Sequence, residues 1–145
     1  MNGLTTADVC IFAFDGIELD SGTVVEFIAA KMLDIPSVVY RSDFRGGSGE
    51  EASCEGGEPT NKWNLMCSNY PRTNIVYFNG MVEYQSIYKK MPGKSADKIS
   101  LAYADHCAKK IVAAMDDVCK TKPVLPKDDD KAKRLKDFKL VLGVD

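Results

Sequence analysis

Long apolar runs are missing from this chain of 145 residues: none approaches the roughly 20 that span a bilayer, and "MNGLTTADVC" lacks the basic and then apolar pattern of a secretory signal. Charge of one sign is also missing. Nineteen Lys and Arg stand against 21 Asp and Glu, a net charge of -2, so neither nucleic acid nor an anionic membrane is an expected partner. Histidine is nearly absent. The single His106 reads as an ordinary surface or packing residue, and no metal or other cofactor is expected. The five cysteines (Cys10, Cys54, Cys67, Cys107, Cys119) show no C-x-x-C spacing, and their odd number favours reduced thiols in a cytosol-like compartment.

What is present suits one globular domain able to bury roughly two-thirds of its unfolded surface. "DVCIFAF" (8–14) is a continuous apolar run, the pattern of a parallel strand buried on both faces. Residues 22–33 form the following helix and "IPSVVYR" (35–41) the next strand, a βαβ unit. Residues 42–59 are rich in Gly, Ser and Glu and read as a long mobile loop, with a short helix or turn at "NKWNLMCS" after it. "TNIVYF" (73–78) predicts a third strand, and "MVEYQSIYKK" a helix ending before Pro92 and Gly93. From Ser95 to Lys120, apolar residues at three- and four-residue spacing (Ile99, Leu101, Ala102, Ala108, Ile111, Val112, Met115, Val118) predict an amphipathic helix. The β-prone run "FKLVLGV" (138–144) closes the chain. No internal repeat is visible. The expected fold is α/β, a flavodoxin-like or Rossmann-like parallel sheet with flanking helices. Residues 1–91 carry the α/β core and 92–145 a helical extension packed on it.

"DSGTVVEF" (20–27) sets a carboxylate, Glu26, among Val24, Val25, Phe27 and Ile28, where burial would be costly unless the charge is used. In open parallel sheets the ligand site lies where strands end and helices begin, which brings Asp20 and Glu26 to the expected active edge. Two carboxylates in one crevice suit substitution at a sugar carbon, one as nucleophile and one as a binding or proton-handling group. The bland alternative is a helix whose one polar residue faces water.

"ADVCIFAFDGIELDSGTVVEF", with its D-x-G-x-x-x-E stretch, and the later "NKWNLM" resemble the nucleoside 2-deoxyribosyltransferase family over about residues 2–80. The resemblance implies an enzyme that cleaves the N-glycosidic bond of a 2'-deoxynucleoside and passes the deoxyribosyl group to another free nucleobase, without a cofactor. Glu26 matches the nucleophile. Asp20, in the stretch that holds Gly22, matches the carboxylate that binds the sugar hydroxyls. Asn64 and Met66 match residues given by a neighbouring subunit, so a homo-oligomer with shared sites is implied. Taken without the first motif, Trp63, Leu65 and Met66 also fit a plain anchor for the loop, with Asn64 capping a turn.

Two departures from the family pattern stand out. Family members open with a strand, a Gly-containing loop and a helix that build the base pocket, and "DVCIFAF" would lack that neighbour. An apolar edge of this kind is a hazard that folded proteins cover, and "FKLVLGV" or a neighbouring subunit is the expected cover. The family's acidic residue ahead of the segment matching "NGLTTAD" falls before Met1, leaving Asp15 and Asp43 as stand-ins for the proton donor. Two other functions fit the same fold. One is a 2'-deoxynucleoside 5'-monophosphate N-glycosidase, which Asp20 disfavours by repelling a phosphate dianion. The other is a non-catalytic oligomeric relic.

Overall fold

The computed structural model describes residues 2–15, 20–42, 69–126 and 130–143. In chain order they form α1 (Asn2–Thr6), β1 (Cys10–Ala13), α2 (Ser21–Met32), β2 (Ser37–Arg41), β3 (Thr73–Tyr77), α3 (Gly80–Lys90), α4 (Ala96–Cys119) and α5 (Asp130–Leu142). The strands make one parallel three-stranded sheet in the order β1-β2-β3, with Cys10 opposite Ser37 and Ser37 opposite Thr73. The fold is therefore the expected α/β class. The stretch 43–68, with the predicted mobile loop and the "NKWNLMCS" turn, lies outside the described residues.

Side-chain alternation along β2 assigns the two faces. Val39 joins Phe12, Phe14, Phe27, Ala30, Leu33 and Ile35 in a cluster on the α2 side, while Val38 meets Ala114 and Val118 of α4 on the other. Phe27 is the centre of the first cluster, edge-on to Phe12, Phe14 and Tyr70 at centroid distances of 5.3, 5.7 and 5.6 Å. On α4 the buried stripe is Ile99, Ala114 and Val118, whereas Leu101 and Val112 of the predicted apolar set face outward.

Two sequence expectations are corrected. β1 is not buried on both faces: Phe12 is buried but Ile11 and Ala13 are exposed, because among the described residues β1 is an outer strand and α4 packs over β2 and β3. "FKLVLGV" is no strand and covers no edge by pairing. It is the end of α5, whose Leu135 and Phe138 pack beside the first cluster. The helix formers Lys, Arg, Ala and Leu of residues 130–142 outweigh the short β-prone run. Gly143 at φ 64° then ends the helix in the left-handed conformation glycine adopts without strain.

α2 ends in a Schellman turn. Ile35 N–H donates to the Ala30 carbonyl at 2.9 Å and Asp34 N–H to that of Lys31 at 3.0 Å, with Asp34 at φ 56° where glycine is usual. The aspartate stays because its side chain is used. Asp34 Oδ1 lies 3.2 Å from Arg72 Nη1, both side chains being only 12% exposed, and Asp34 Oδ2 accepts from Val124 N–H at 2.9 Å and Leu125 N–H at 3.1 Å. The Arg72 carbonyl in turn accepts from Ser37 N–H and from Lys31 Nζ, both at 3.0 Å.

Asp34→Gly would regain about 1 kcal/mol of backbone strain but leave a nearly buried guanidinium without its carboxylate, with the residue-34 carbonyl and the Thr121 hydroxyl as remaining acceptors, at a cost of about 3 kcal/mol. A net loss of about 2 kcal/mol is expected in denaturant titration, and an unchanged or raised midpoint contradicts this. Lys31 adds a pH dependence. Burial, helped by the charge of Arg72, lowers its pKa from 10.5 to about 8, so the folded state holds fewer protons than the unfolded between those values. The Lys31 contribution to stability therefore rises with pH from about 8 to 10.5. Unfolding free energies of the parent and Lys31→Met, compared across that window, should move in the parent's favour. A constant difference rules this out.

Candidate functional site

Asp20 is the N-cap of α2, its Oδ2 accepting from the backbone N–H and the hydroxyl of Thr23, each at 2.8 Å. These hydrogen bonds, the Thr23 backbone N–H first, hold its pKa below the ordinary carboxylate value, so the exposed group is ionised at neutral pH. Gly22 leaves the cap room: a Cβ there would come within 3.2 Å of Asp20 Oδ2. One member of the predicted carboxylate pair thus has a structural duty, and its Oδ1 stands on the same exposed carboxylate.

Glu26 lies a turn and a half further on. Its neighbours Phe27, Ala29 and Ala30 carry the buried face of α2, while Glu26 and Val25 are exposed. The cost of burying a carboxylate among these residues is avoided: the helix turns Glu26 outward, as the alternative of a solvent-facing polar position has it. It does not face bulk water alone. Glu26 borders a hollow of about 270 Å³ whose other walls are Gly3, Leu4 and Ala7 of the N-terminal segment and Cys10, Ile11 and Phe12 of β1. Burial, reinforced by the charge of Glu26 and opposed by Lys31, pushes the Cys10 thiol up and keeps it protonated. One anionic oxygen donor thus stands in a hollow whose remaining side chains are uncharged.

The hollow runs along the open side of β1, whereas Asp20 caps the helix at the strand's C-terminal end. Asp15, the stand-in proton donor, is at that end as well. Its carboxylate accepts from Ser42 N–H at 2.6 Å and from Ser42 Oγ at 2.9 Å, tying the ends of β1 and β2 together. Asn64, Met66 and Asp43 lie outside the described residues.

A polar group that the sequence reading missed lies beyond the C-terminal end of β3. Glu83 of α3 accepts from Lys110 Nζ at 2.8 Å and pairs with His106 Nε2 at 2.9 Å, both from α4, and its Oε1 takes the N–H of Asn79 at 3.3 Å. Burial pushes the Glu83 pKa up, but the Lys110 bond and charge, with His106 and Asn79, outweigh it and hold the carboxyl below the usual range. His106 is thus a partner in an ion cluster. Beside it the Tyr103 hydroxyl is pushed up to about 12 by burial, then by Cys107, Glu83 and Asp15. That hydroxyl lies 3.2 Å from where a Cβ on Gly80 would stand, so glycine lets α3 start close against α4. His106 and Lys110, four apart on one helix, were the available signal, but Glu83 is more than 20 residues away in sequence and nothing local links them.

Among the described residues, no group of His, Cys, Asp and Glu is gathered closely enough to hold a metal ion, and no helix is long and apolar enough to cross a membrane. Compared with known proteins, the chain matches no family model, no curated protein and no solved structure.

Proposed function

We propose that the protein is a nucleoside 2-deoxyribosyltransferase-like enzyme that moves deoxyribose from a 2'-deoxynucleoside to a free nucleobase through a glutamyl-sugar intermediate. The observation that carries this reading is the D-x-G-x-x-x-E stretch sitting at the start of the helix that follows a parallel strand, with its glutamate the one charged side chain lining a hollow among the described residues. In the first half-reaction an Oε of Glu26 attacks C1' of the sugar. The C1'–N bond breaks, and its electron pair leaves with the base, which takes up a proton. In the second half a ring nitrogen of the incoming base attacks C1' and loses its proton, and the C1'–O bond to Glu26 breaks to return the carboxylate. Water in place of the second base gives hydrolysis.

Asp20 binds the sugar hydroxyls in this reading, which positions C1' against Glu26. A carboxylate at the sugar end favours a neutral donor over a 5'-monophosphate, because it repels a dianion. Asn64 and Met66 reach the site from a neighbouring copy, so the working form is a homo-oligomer. The cysteines fit a reducing, cytosol-like compartment: Cys10, Cys107 and Cys119 are free thiols.

Glu26→Gln is expected to lower transfer between deoxyinosine and adenine by a factor on the order of a thousand or more, with folding nearly unchanged because the residue is exposed. Asn64→Ala should lose roughly 1–3 kcal/mol of sugar binding. Mixing the two variants under conditions of subunit exchange should restore activity in sites that combine an intact Glu26 with an intact Asn64 from the other chain. No product from the parent, with its oligomeric state verified, favours the non-catalytic relic. Activity in the mixture equal to the sum of the two variants places Asn64 in its own chain's site or outside any.

A further inference from the structure

At the N-terminal ends of the three strands lies a cavity of about 250 Å³. Its walls come from the turn before β1, the link between α2 and β2, Arg72 ahead of β3, the stretch after α4, and Arg134 of α5. Asp20 and Asp15 mark the opposite end of the sheet. Four ionised side chains line the cavity, and three of them are accounted for. Asp34 and Arg72 pair with each other, the second Asp34 oxygen takes two backbone N–H groups, and Arg72 also donates to the Asp34 carbonyl and the Thr121 hydroxyl. Asp8 is exposed, so water screens its charge. Arg134 is different. Its Nε is shut off from water and has no hydrogen-bond partner among the described residues. A guanidinium cannot give up its charge, and a donor left unmet out of water is costly.

We propose that this cavity binds a small monocarboxylate with an apolar body, its carboxylate on the Arg134 guanidinium and its body against Leu33, Ile35 and Leu125. The planar fork of a guanidinium matches the two oxygens of a carboxylate, and such charge-assisted bonds are the strong ones. Turning the Arg134 side chain about its last single bonds brings Nε to an acceptor in the cavity. Most of the other lining side chains are apolar, Pro36 and the three named above among them, and burial of an apolar body against them is favoured by the area removed from water. Phosphate shares the guanidinium chemistry but fits less well, because Asp8 and Asp34 repel a dianion more strongly than a monoanion. The volume lies under the range of about 300–1,000 Å³ typical of drug-sized ligands, which suits one ring or a short chain. The bound carboxylate would also tie α5, whose Leu135 and Phe138 pack beside the first cluster, to the entries of the strands. This inference is independent of Glu26 and of the transfer reading.

Benzoate is the probe, titrated into nitrogen-15-labelled protein, with acetate and inorganic phosphate in parallel. The Arg134 Nε–H resonance is identified by its loss in Arg134→Gln. Benzoate should shift that resonance and the amides of Leu33, Asp34, Ile35 and Leu125 saturably, and should raise the melting temperature of the parent. Arg134→Gln removes an unmet donor, so without benzoate it should melt no lower than the parent, and it should bind benzoate at least roughly tenfold more weakly. Arg134→Lys keeps the charge without the fork and should fall between the two, which preserves the comparison if the Gln variant is unstable. Shifts that never saturate, or an affinity that both substitutions leave within about twofold of the parent's, overturn the proposal. Acetate or phosphate binding at these residues as tightly as benzoate overturns it as well, and so does an Arg134 Nε–H already at the position of a carboxylate-bound guanidinium in the protein alone.

Discussion

Asp34 and Arg72 hold each other in an ion pair that is almost out of water, and each does so from a left-handed backbone position that glycine would fill without strain. The pair lies where three segments meet. Asp34 ends α2 and accepts the N–H groups of Val124 and Leu125 from the stretch after α4, while the Arg72 carbonyl ties the start of β3 to Ser37 and Lys31. The entry to β2, the entry to β3 and the path of the chain toward α5 all depend on it. Burying two charges is costly, and only full use of their hydrogen-bonding capacity makes it tolerable. Here one carboxylate serves a guanidinium and two backbone donors. The pair thus anchors the C-terminal end of α2 at the N-terminal end of the sheet.

That anchoring matters for the proposed chemistry because α2 carries the candidate nucleophile. Phe27 sits at the centre of the aromatic cluster and so fixes the rotation of the helix, and Glu26, the residue before it, is thereby turned toward the open side of β1. Asp20 fixes the other end of the same helix by capping it. The two carboxylates that read in the sequence as a pair are thus held by one rigid element, one at its first turn and one beside the strand. Rigid placement is what the proposed displacement at C1' would require, since alignment of carboxylate and anomeric carbon supplies much of the rate of such a step.

Most of the fold could be read from the chain because its strands and helices announce themselves locally. "IPSVVYR" carries Val38 and Val39 at its centre and is the middle strand, buried on both sides, and the three- and four-residue spacing from Ile99 to Val118 is the helix that covers it. "DVCIFAF" looks the same in sequence, yet edge position leaves Ile11 and Ala13 exposed, and position in a sheet is not written in a strand's own residues. "FKLVLGV" differs for a related reason: taken alone the run is β-prone, but the lysine-rich helical turns ahead of it carry the helix into it, and Gly143 is a helix terminator. The helix start at the D-x-G-x-x-x-E stretch is legible because an Asp cap and the turn after it are local, within two turns of one helix. The Glu83, His106 and Lys110 cluster is not, because it forms only when α3 folds back onto α4.

The central claim is that Glu26 forms a covalent bond to the sugar, and trapping that bond tests it most directly. The protein would be mixed with a 2'-deoxynucleoside in the absence of an acceptor base, quenched in acid within the first turnover, and examined by intact-mass and peptide mass spectrometry. The account predicts a mass increase of one deoxyribosyl unit, confined to the peptide that contains Glu26 and absent from Glu26→Gln. An adduct on any other residue, or release of free base and exchange of base with no adduct at any quench time, contradicts it.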